Sequence, residues 1–128
     1  MITPDIGGAF GMKIAAYPDE MAVAAIAVLL GRPVKFVADR LESFVSDVHA
    51  REASVKGRLA VDANGTLLAM DVSVLHGMGA YSSYPRGSVG EGLQAVHMSA
   101  APYRLSSFSG RLRSYFQNKT PSGVLRAV

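Results

Sequence analysis

The sequence predicts an α+β fold in which a buried helix packs on an antiparallel β-hairpin and further strands. The helix is indicated by the long apolar run EMAVAAIAVLLG at residues 20–31. The hairpin is indicated by two alternating segments that flank the turn sequence DANGT at residues 62–66. A hairpin with one apolar face needs a second layer to cover it, and this helix can supply that layer.

The first helix is predicted from Pro18 to Leu30. Pro18 suits the first helical turn because it lacks the N–H that a helix start leaves unbonded. Gly31 is a suitable C-cap, and Pro33 prevents the helix from continuing. Because apolar residues cover every side of this helix, we expect it to be buried against the hairpin.

The middle of the chain predicts short elements. VKFVADR at residues 34–40 predicts a strand that ends at Asp39, and LESFVSD at residues 41–47 is interpreted as a linker. The hairpin strands are predicted over residues 50–61 and 66–76, where apolar and polar side chains alternate.

The C-terminal part begins with a loop rich in Gly, Ser and Tyr, which leads into a short helix predicted at residues 91–98. A further strand is predicted within residues 103–117 because side chains alternate there. Its two faces are Phe108, Leu112 and Phe116 on one side and Arg111 and Arg113 on the other.

Composition limits the classes of function. The 128 residues are enough for one domain or for part of a larger protein. The absence of cysteine excludes disulfides, cysteine-held iron–sulfur clusters and cysteine-type zinc sites on this chain, and it fits a reducing, cytoplasmic compartment. The longest apolar run is shorter than the roughly 20 residues that a membrane span requires, so no span is expected.

The charge distribution is uneven, although the net charge is only +3. No acidic residue follows Glu91. An acid-free segment of this kind suits an anionic ligand, a nucleic acid or an acidic partner surface. Its cations are Arg104, Arg111, Arg113, Lys119 and Arg126.

The sequence GGAFGMK at residues 7–13 is an unusual glycine loop. It is not a phosphate-binding P-loop, because Met12 separates Gly11 from Lys13, and it contains no G-x-G-x-x-G dinucleotide fingerprint. Two interpretations stay open on these residues alone. The loop is either a plain tight turn or a segment whose backbone approaches a ligand, with Phe10 covering that ligand.

Other candidate residues favour ordinary structural roles. His49, His76 and His97 lack metal-ligand spacing and are interpreted as surface or hydrogen-bonded histidines. Glu91 lies between two glycines and is interpreted as an exposed turn carboxylate rather than a catalytic base. No serine lies in a nucleophile elbow. The sequence therefore predicts no catalytic and no metal-ligating residue on this chain.

Three stretches in this order resemble one family. They are PDIGGAFGMK, the following YPDEMAVAAIAVLLGRPVKFVADRLESF, and NKTPSGVLRAV near the C-terminus. Together they resemble the large, molybdenum-binding subunit of the xanthine dehydrogenase/aldehyde oxidase/carbon monoxide dehydrogenase family. The resemblance extends over essentially the whole chain.

The resemblance implies a molybdenum hydroxylase, which inserts oxygen from water into a C–H bond of a small aldehyde or N-heterocycle-type substrate. It implies that Gly8, Phe10, Gly11 and Arg126 bind a molybdopterin cofactor, in the cytosine dinucleotide form. It also implies that the partners are FAD and iron–sulfur subunits or domains, through which electrons leave. Nucleic acid is not an expected partner under this resemblance.

The chain departs from the family pattern at several positions. Ala9 replaces a glycine, and Ile14 stands where purine-oxidising members carry glutamate, so a purine substrate is disfavoured. Leu125 replaces a common aromatic residue, and Ala127 replaces the usual glycine.

Family members are several times longer, and their catalytic glutamate and a glutamine-bearing loop have no counterpart here. Residues 1–128 are therefore expected to form a partial cofactor-binding domain, truncated at both ends and inactive alone. Two alternatives stay open: a non-enzymatic module that binds anions or nucleic acid, and a degraded gene remnant.

Overall fold

A computed structural model describes residues 2–126 of the chain. The chain combines helices with a sheet that contains an antiparallel hairpin and is covered by one helix, which confirms the α+β class. After a short 3₁₀ turn at Met12–Ile14, the elements are α1 Pro18–Leu30, α2 Arg40–Ser46, β1 Ala53–Val61, β2 Leu67–Gly77, α3 Val89–Met98 and β3 Ser107–Tyr115.

The three strands form one sheet in the order β1-β2-β3. Strands β1 and β2 are antiparallel, so the predicted hairpin is confirmed. Its turn is fixed locally, because the Asp62 carboxylate accepts hydrogen bonds from the amides of Asn64 (2.8 Å) and Thr66 (2.9 Å), while Gly65 adopts φ +84°. Strand β3, also predicted, runs parallel to β2. Parallel neighbours need a crossover connection, and α3 lies within it.

The hydrophobic core lies between α3 and strands β2 and β3. Val72 and Val74 of β2 and Val96 of α3 are buried together, and Leu112 of β3 packs against them. Gly92 allows the helix to approach closely, since a Cβ there would come within 2.7 Å of a Leu112 methyl carbon. The predicted helix at residues 91–98 thus exists, begins two residues earlier and covers the sheet.

The prediction that α1 covers the hairpin is wrong, because α3 packs on the sheet instead. The bounds of α1 are as predicted, with Gly31 as a left-handed C-cap at φ +58°. None of its residues is buried, however, and Val28 and Leu29 are largely exposed. A helix that is apolar on every side has no single face to direct it onto the sheet, whereas α3 has one.

Two further predictions between α1 and β1 are wrong. Residues 34–39 are not a strand, and the predicted linker forms α2. This short helix has a complete capping box: the Glu42 amide donates to Asp39 Oδ1 and the Asp39 amide donates to Glu42 Oε2, each at 2.8 Å. None of the helices described is long and apolar enough to cross a membrane.

We predict that Val74→Ala lowers the free energy of unfolding by about 2 kcal/mol, because Val74 is 1% exposed and its truncation leaves a cavity in the core. Val55→Ala is the matched control, since Val55 pairs directly with Val74 but is 58% exposed. Its effect should be about 0.5 kcal/mol or less. Urea unfolding of both variants measures the difference, and equal losses would contradict this location of the core.

Candidate functional site

The glycine loop is held in an unusual backbone conformation. Gly8, Phe10 and Gly11 have φ values of +135°, +52° and +100°. The loop closes in the 3₁₀ turn, where the Met12 amide donates to the Ala9 carbonyl at 3.0 Å. A left-handed conformation is uncommon for a residue such as phenylalanine and costs about 1–3 kcal/mol. The Phe10 ring is nevertheless 60% exposed, so packing in the core does not explain its conformation.

The loop near the C-terminus, which follows β3 and includes residues 117–126, meets the glycine loop at Phe10. The backbone amide of Arg126 donates to the Phe10 carbonyl, and the Arg126 guanidinium carbon lies 5.7 Å from the centre of the Phe10 ring. Gly11 packs against Val124, where a Cβ on Gly11 would come within 2.7 Å of the Val124 carbonyl oxygen. A Cβ on Gly8 would likewise come within 2.7 Å of the Phe10 ring. The four predicted residues therefore lie together.

The loop presents a row of free hydrogen-bond donors. Within residues 2–126, no acceptor bonds the backbone amides of Gly8, Ala9, Phe10 and Gly11. All of these residues except the half-buried Gly11 are exposed. Successive unpaired amides in a turn are a typical binding site for anionic oxygen atoms. The donors thus match the chemistry of an oxo or phosphate group.

The buried Tyr17 supports the glycine loop from behind. Its hydroxyl donates to the Met12 carbonyl at 2.8 Å and accepts from the Val48 amide at 3.2 Å. Burial raises the pKa of the Tyr17 phenol. This one side chain links the 3₁₀ turn to the segment that follows α2.

Backbone hydrogen bonds fix the loop near the C-terminus. The His49 amide donates to Pro121, the Gly123 amide donates to His49, and the Ser122 amide donates to Met78, at 2.9–3.0 Å. The packing leaves no room for side chains, since a Cβ on Gly79 would lie 2.5 Å from Pro121 Cα. Residues 121–123 are therefore held between the segment after α2 and the end of β2.

A polar network supports the beginning of the same loop. Lys119 Nζ lies 2.7 and 2.6 Å from the two carboxylate oxygens of Glu52, and Gln117 Nε2 donates to the same carboxylate at 3.2 Å. The hydrogen bond from Lys119 lowers the pKa of Glu52. Next to Arg126 in the same loop, the Leu125 carbonyl accepts a 2.6 Å hydrogen bond from Arg51 Nη2.

Glu91 was interpreted incorrectly as an exposed turn carboxylate. It is 6% exposed, lies in the first turn of α3, and its Oε2 accepts a 2.8 Å hydrogen bond from the Ser122 hydroxyl. The spacing S-V-G-E at residues 88–91 is typical of a helix start, and nothing in the sequence links Glu91 to Ser122. Local sequence signals therefore do not predict this contact.

The three histidines lie apart from this site or support it indirectly. His76 is buried, and its ring nitrogens lie 3.1 Å from the Glu52 carbonyl and 3.0 Å from the Ser88 carbonyl, which confirms it as a hydrogen-bonded histidine. His49 Nε2 lies 3.1 Å from the Phe44 carbonyl, and His97 is exposed. The described residues contain no group of three potential metal ligands.

A cavity of about 600 Å³ opens beside the two loops. Met12 and Leu125, which lie next to Gly11 and Arg126 in sequence, form part of its wall. Asp39, Phe44 and His49 contribute from α2 and its flanking residues. The site thus combines exposed donors, an aromatic ring, a guanidinium group and an adjacent space.

The fold and the site define an α+β domain in which two loops converge on a row of exposed backbone donors. The sequence matches the molybdopterin cofactor-binding domain family over residues 1–128, and the chain belongs to that family.

Three similar proteins illustrate the family. The chain is 37% identical, over 96% of its length, to the 6-hydroxypseudooxynicotine dehydrogenase complex subunit gamma of Paenarthrobacter nicotinovorans. It is 31% identical, over 97% of its length, to the carbon monoxide dehydrogenase large chain of Hydrogenophaga pseudoflava. The chain spans 15% of each of these relatives. It also matches the structure of quinoline 2-oxidoreductase from Pseudomonas putida 86 with a TM-score of 0.91 and 31% identity, covering 95% of this chain and 16% of that one.

We predict that Tyr17→Phe lowers the free energy of unfolding by about 1–3 kcal/mol, because it leaves the buried Val48 amide without its acceptor. The raised pKa means that the folded state holds the phenol proton more tightly than the unfolded state. Tyr17 therefore contributes stability that is present below pH 10 and lost as the pH rises through the raised value.

Urea unfolding between pH 7 and pH 11 measures both effects. The exposed Tyr84 provides the control, since Tyr84→Phe should change neither quantity appreciably. An equal alkaline loss of stability in the Tyr17→Phe and unsubstituted chains would contradict the prediction.

Proposed function

We propose that this chain forms one wall of a molybdenum cofactor site in an oxidoreductase. The observation that carries the proposal is the convergence of Gly8, Phe10, Gly11 and Arg126 around unpaired backbone amides. The membership of the molybdopterin cofactor-binding domain family supports the same assignment. The reaction that we propose for the whole enzyme is hydroxylation of an aldehyde or N-heterocycle-type substrate with oxygen from water.

The cofactor, when bound, supplies the oxygen-transfer chemistry and accepts the substrate electrons. The residues of this chain bind and shield it. The amides of Gly8 to Gly11 donate hydrogen bonds to its anionic oxygens, and the Arg126 guanidinium compensates their charge. The exposed Phe10 ring excludes water from the side that it covers. This division of roles explains why aromatic and cationic side chains occur beside glycines.

The family resemblance also supports a cofactor form, partners and a cellular location for the whole enzyme. We propose the cytosine dinucleotide form of the cofactor, FAD and iron–sulfur groups on other subunits or domains, and a cytoplasmic location. An N-heterocycle substrate is supported by the similarity to quinoline 2-oxidoreductase. Similarity to a dehydrogenase complex subunit and to a carbon monoxide dehydrogenase large chain supports assembly with other subunits.

One observation favours the alternative of a module that binds anions. Lys56 and Arg111 lie on either side of Ser73 on the same face of the sheet, and Arg113 follows on that face. The only carboxylate among its strand residues, Asp71, is paired with Arg58 at 2.7 Å. This basic face differs from the glycine-loop site, so one titration distinguishes the two candidates.

We predict that molybdate, used as a probe oxyanion, shifts the amide resonances of residues 8–11 in the ¹⁵N spectrum of the chain. Gly11→Ala should weaken this binding roughly tenfold or more, because it disturbs the geometry of the backbone donors. Arg126→Gln should have a similar effect, because it removes a positive charge. Gly11→Ala acts through its +100° φ and its contact with Val124.

Arg113→Gln is the matched control, because it removes an exposed arginine on β3 that is not part of the site. It should leave the binding at residues 8–11 unchanged. Shifts that cluster around Lys56 and Arg111, with none at residues 8–11, would contradict the proposal and favour the anion-binding alternative. The same spectrum tests the gene-remnant alternative, since a poorly folded chain gives poorly dispersed resonances.

We also predict that the isolated chain does not turn over aldehydes or N-heterocycles. The expected reason is that it supplies a single wall of the site and no catalytic base. Dye-linked oxidation, measured with molybdenum content on the purified chain, checks this prediction, and a complete molybdenum hydroxylase assayed in parallel serves as the positive control. Turnover with stoichiometric molybdenum would show that the prediction is wrong.

A further inference from the structure

Two helices in this chain begin with a capping residue followed three positions later by glutamate, but only α2 forms the capping box. Asp39 and Glu42 form a complete capping box at the start of α2. Ser88 and Glu91 have the same spacing at the start of α3, yet no side chain caps that helix. The Ser88 hydroxyl is buried and has no hydrogen-bond partner among residues 2–126. Something other than helix capping therefore determines where the Glu91 carboxylate points.

The Glu91 carboxylate is directed to the loop near the C-terminus instead. Its Oε2 accepts the Ser122 hydroxyl at 2.8 Å, and the two residues are 6% and 3% exposed. Burial of a carboxylate is costly without compensation. The hydrogen bond and the position in the first turn of α3, where the helix dipole favours negative charge, supply that compensation.

Ser122 is well placed to transmit this contact. Its own amide donates to Met78, and the next residue, Gly123, donates to His49. Arg126, whose amide donates to the Phe10 carbonyl, lies four residues after Ser122. Among the residues that the structure describes, the Glu91–Ser122 bond is the side-chain hydrogen bond that links α3 to this loop.

We propose that Glu91 is a positioning residue, which anchors the 121–126 loop to α3 and thereby sets the place of Arg126 at Phe10. The importance of that placement for the cofactor rests on the proposed function, but the mechanical role of Glu91 does not. The anchor takes its rigidity from the core, because Val96 of the same helix packs with Val72 and Val74. The start of α3 has no side-chain cap, and the Ser88 hydroxyl has no partner among residues 2–126. Both observations are expected if the Glu91 carboxylate binds Ser122 instead of capping the helix.

The test is amide hydrogen exchange of the full chain, without any ligand, in Glu91→Ala, Glu91→Gln and Ser122→Ala. In Glu91→Ala and Ser122→Ala, exchange of the hydrogen-bonded amides of Ser122, Gly123 and Arg126 should accelerate at least about tenfold more than exchange at Val72 and Val74. Glu91→Gln should restore most of the protection, because its amide oxygen still accepts the Ser122 hydroxyl. Rescue by glutamine separates positioning from a general need for a buried charge.

Val96→Ala is the matched control, because it weakens the packing of α3 but leaves the Glu91–Ser122 pair intact. It should accelerate exchange in the core and the loop by similar factors. The proposal is overturned if Glu91→Ala also accelerates core and loop equally, or if Glu91→Gln behaves as Glu91→Ala does. Should Glu91→Ala not fold, the comparison of Ser122→Ala with Glu91→Gln decides by the same criterion.

The experiment separates this proposal from the proposed function, since exchange needs no cofactor. If molybdate fails to shift residues 8–11 in the unsubstituted chain, the proposed function fails and the exchange pattern still decides the role of Glu91. If molybdate binds and the exchange pattern is uniform, the positioning role fails alone.

Discussion

The candidate site depends on the docking of residues 121–126 between the end of β2 and the segment after α2. Backbone hydrogen bonds from Ser122 and Gly123 hold this loop on both sides. Gly79 makes the approach possible, because any side chain there would collide with Pro121. The docking delivers Arg126 to Phe10, and these residues lie near opposite ends of the chain. No local preference of either loop could produce that meeting.

The docked loops hold two residues in a conformation that is unfavourable for them. Phe10 and Arg126 both have positive φ, at +52° and +60°, which costs about 1–3 kcal/mol for each residue. Their amide–carbonyl bond and the contact between guanidinium and ring offset part of this cost. Glycine would remove the strain but would also remove the ring and the cation. Within residues 2–126, Phe10 and Arg126 are the only non-glycine residues with positive φ, and both are exposed. Backbone strain of this kind clusters at binding sites, which supports the role proposed for them.

The sequence predicts α1, the hairpin and β3 but misses the local signal of α2, and it predicts tertiary choices poorly. The hairpin was found because the Asp62 side chain and Gly65 determine its turn within a few residues. The covering helix was not found, because α1 and α3 both read as helices and only packing chooses between them. Glu91 shows the same limit, since its spacing from Ser88 matches that of Glu42 from Asp39, but its carboxylate accepts the Ser122 hydroxyl instead of capping the helix. The resemblance placed Gly8, Phe10, Gly11 and Arg126 in one site, and the structure brings them together, because the order of motifs carries information on tertiary proximity that periodicity lacks. Their role in binding a cofactor stays a prediction.

The core and the site are built by different forces. Val72, Val74 and Val96 form a small apolar cluster, whereas the site loops are joined by backbone hydrogen bonds at the strand ends. The apolar surface of α1 remains exposed, and exposed apolar surface of this kind is typical of an interaction face. The relatives reported above are much longer, with 15–16% of their length matched. The exposed apolar side chains of α1 and the glycine-loop amides without acceptors in residues 2–126 are two surfaces that gain free energy by contact with further groups, which supports the role proposed above.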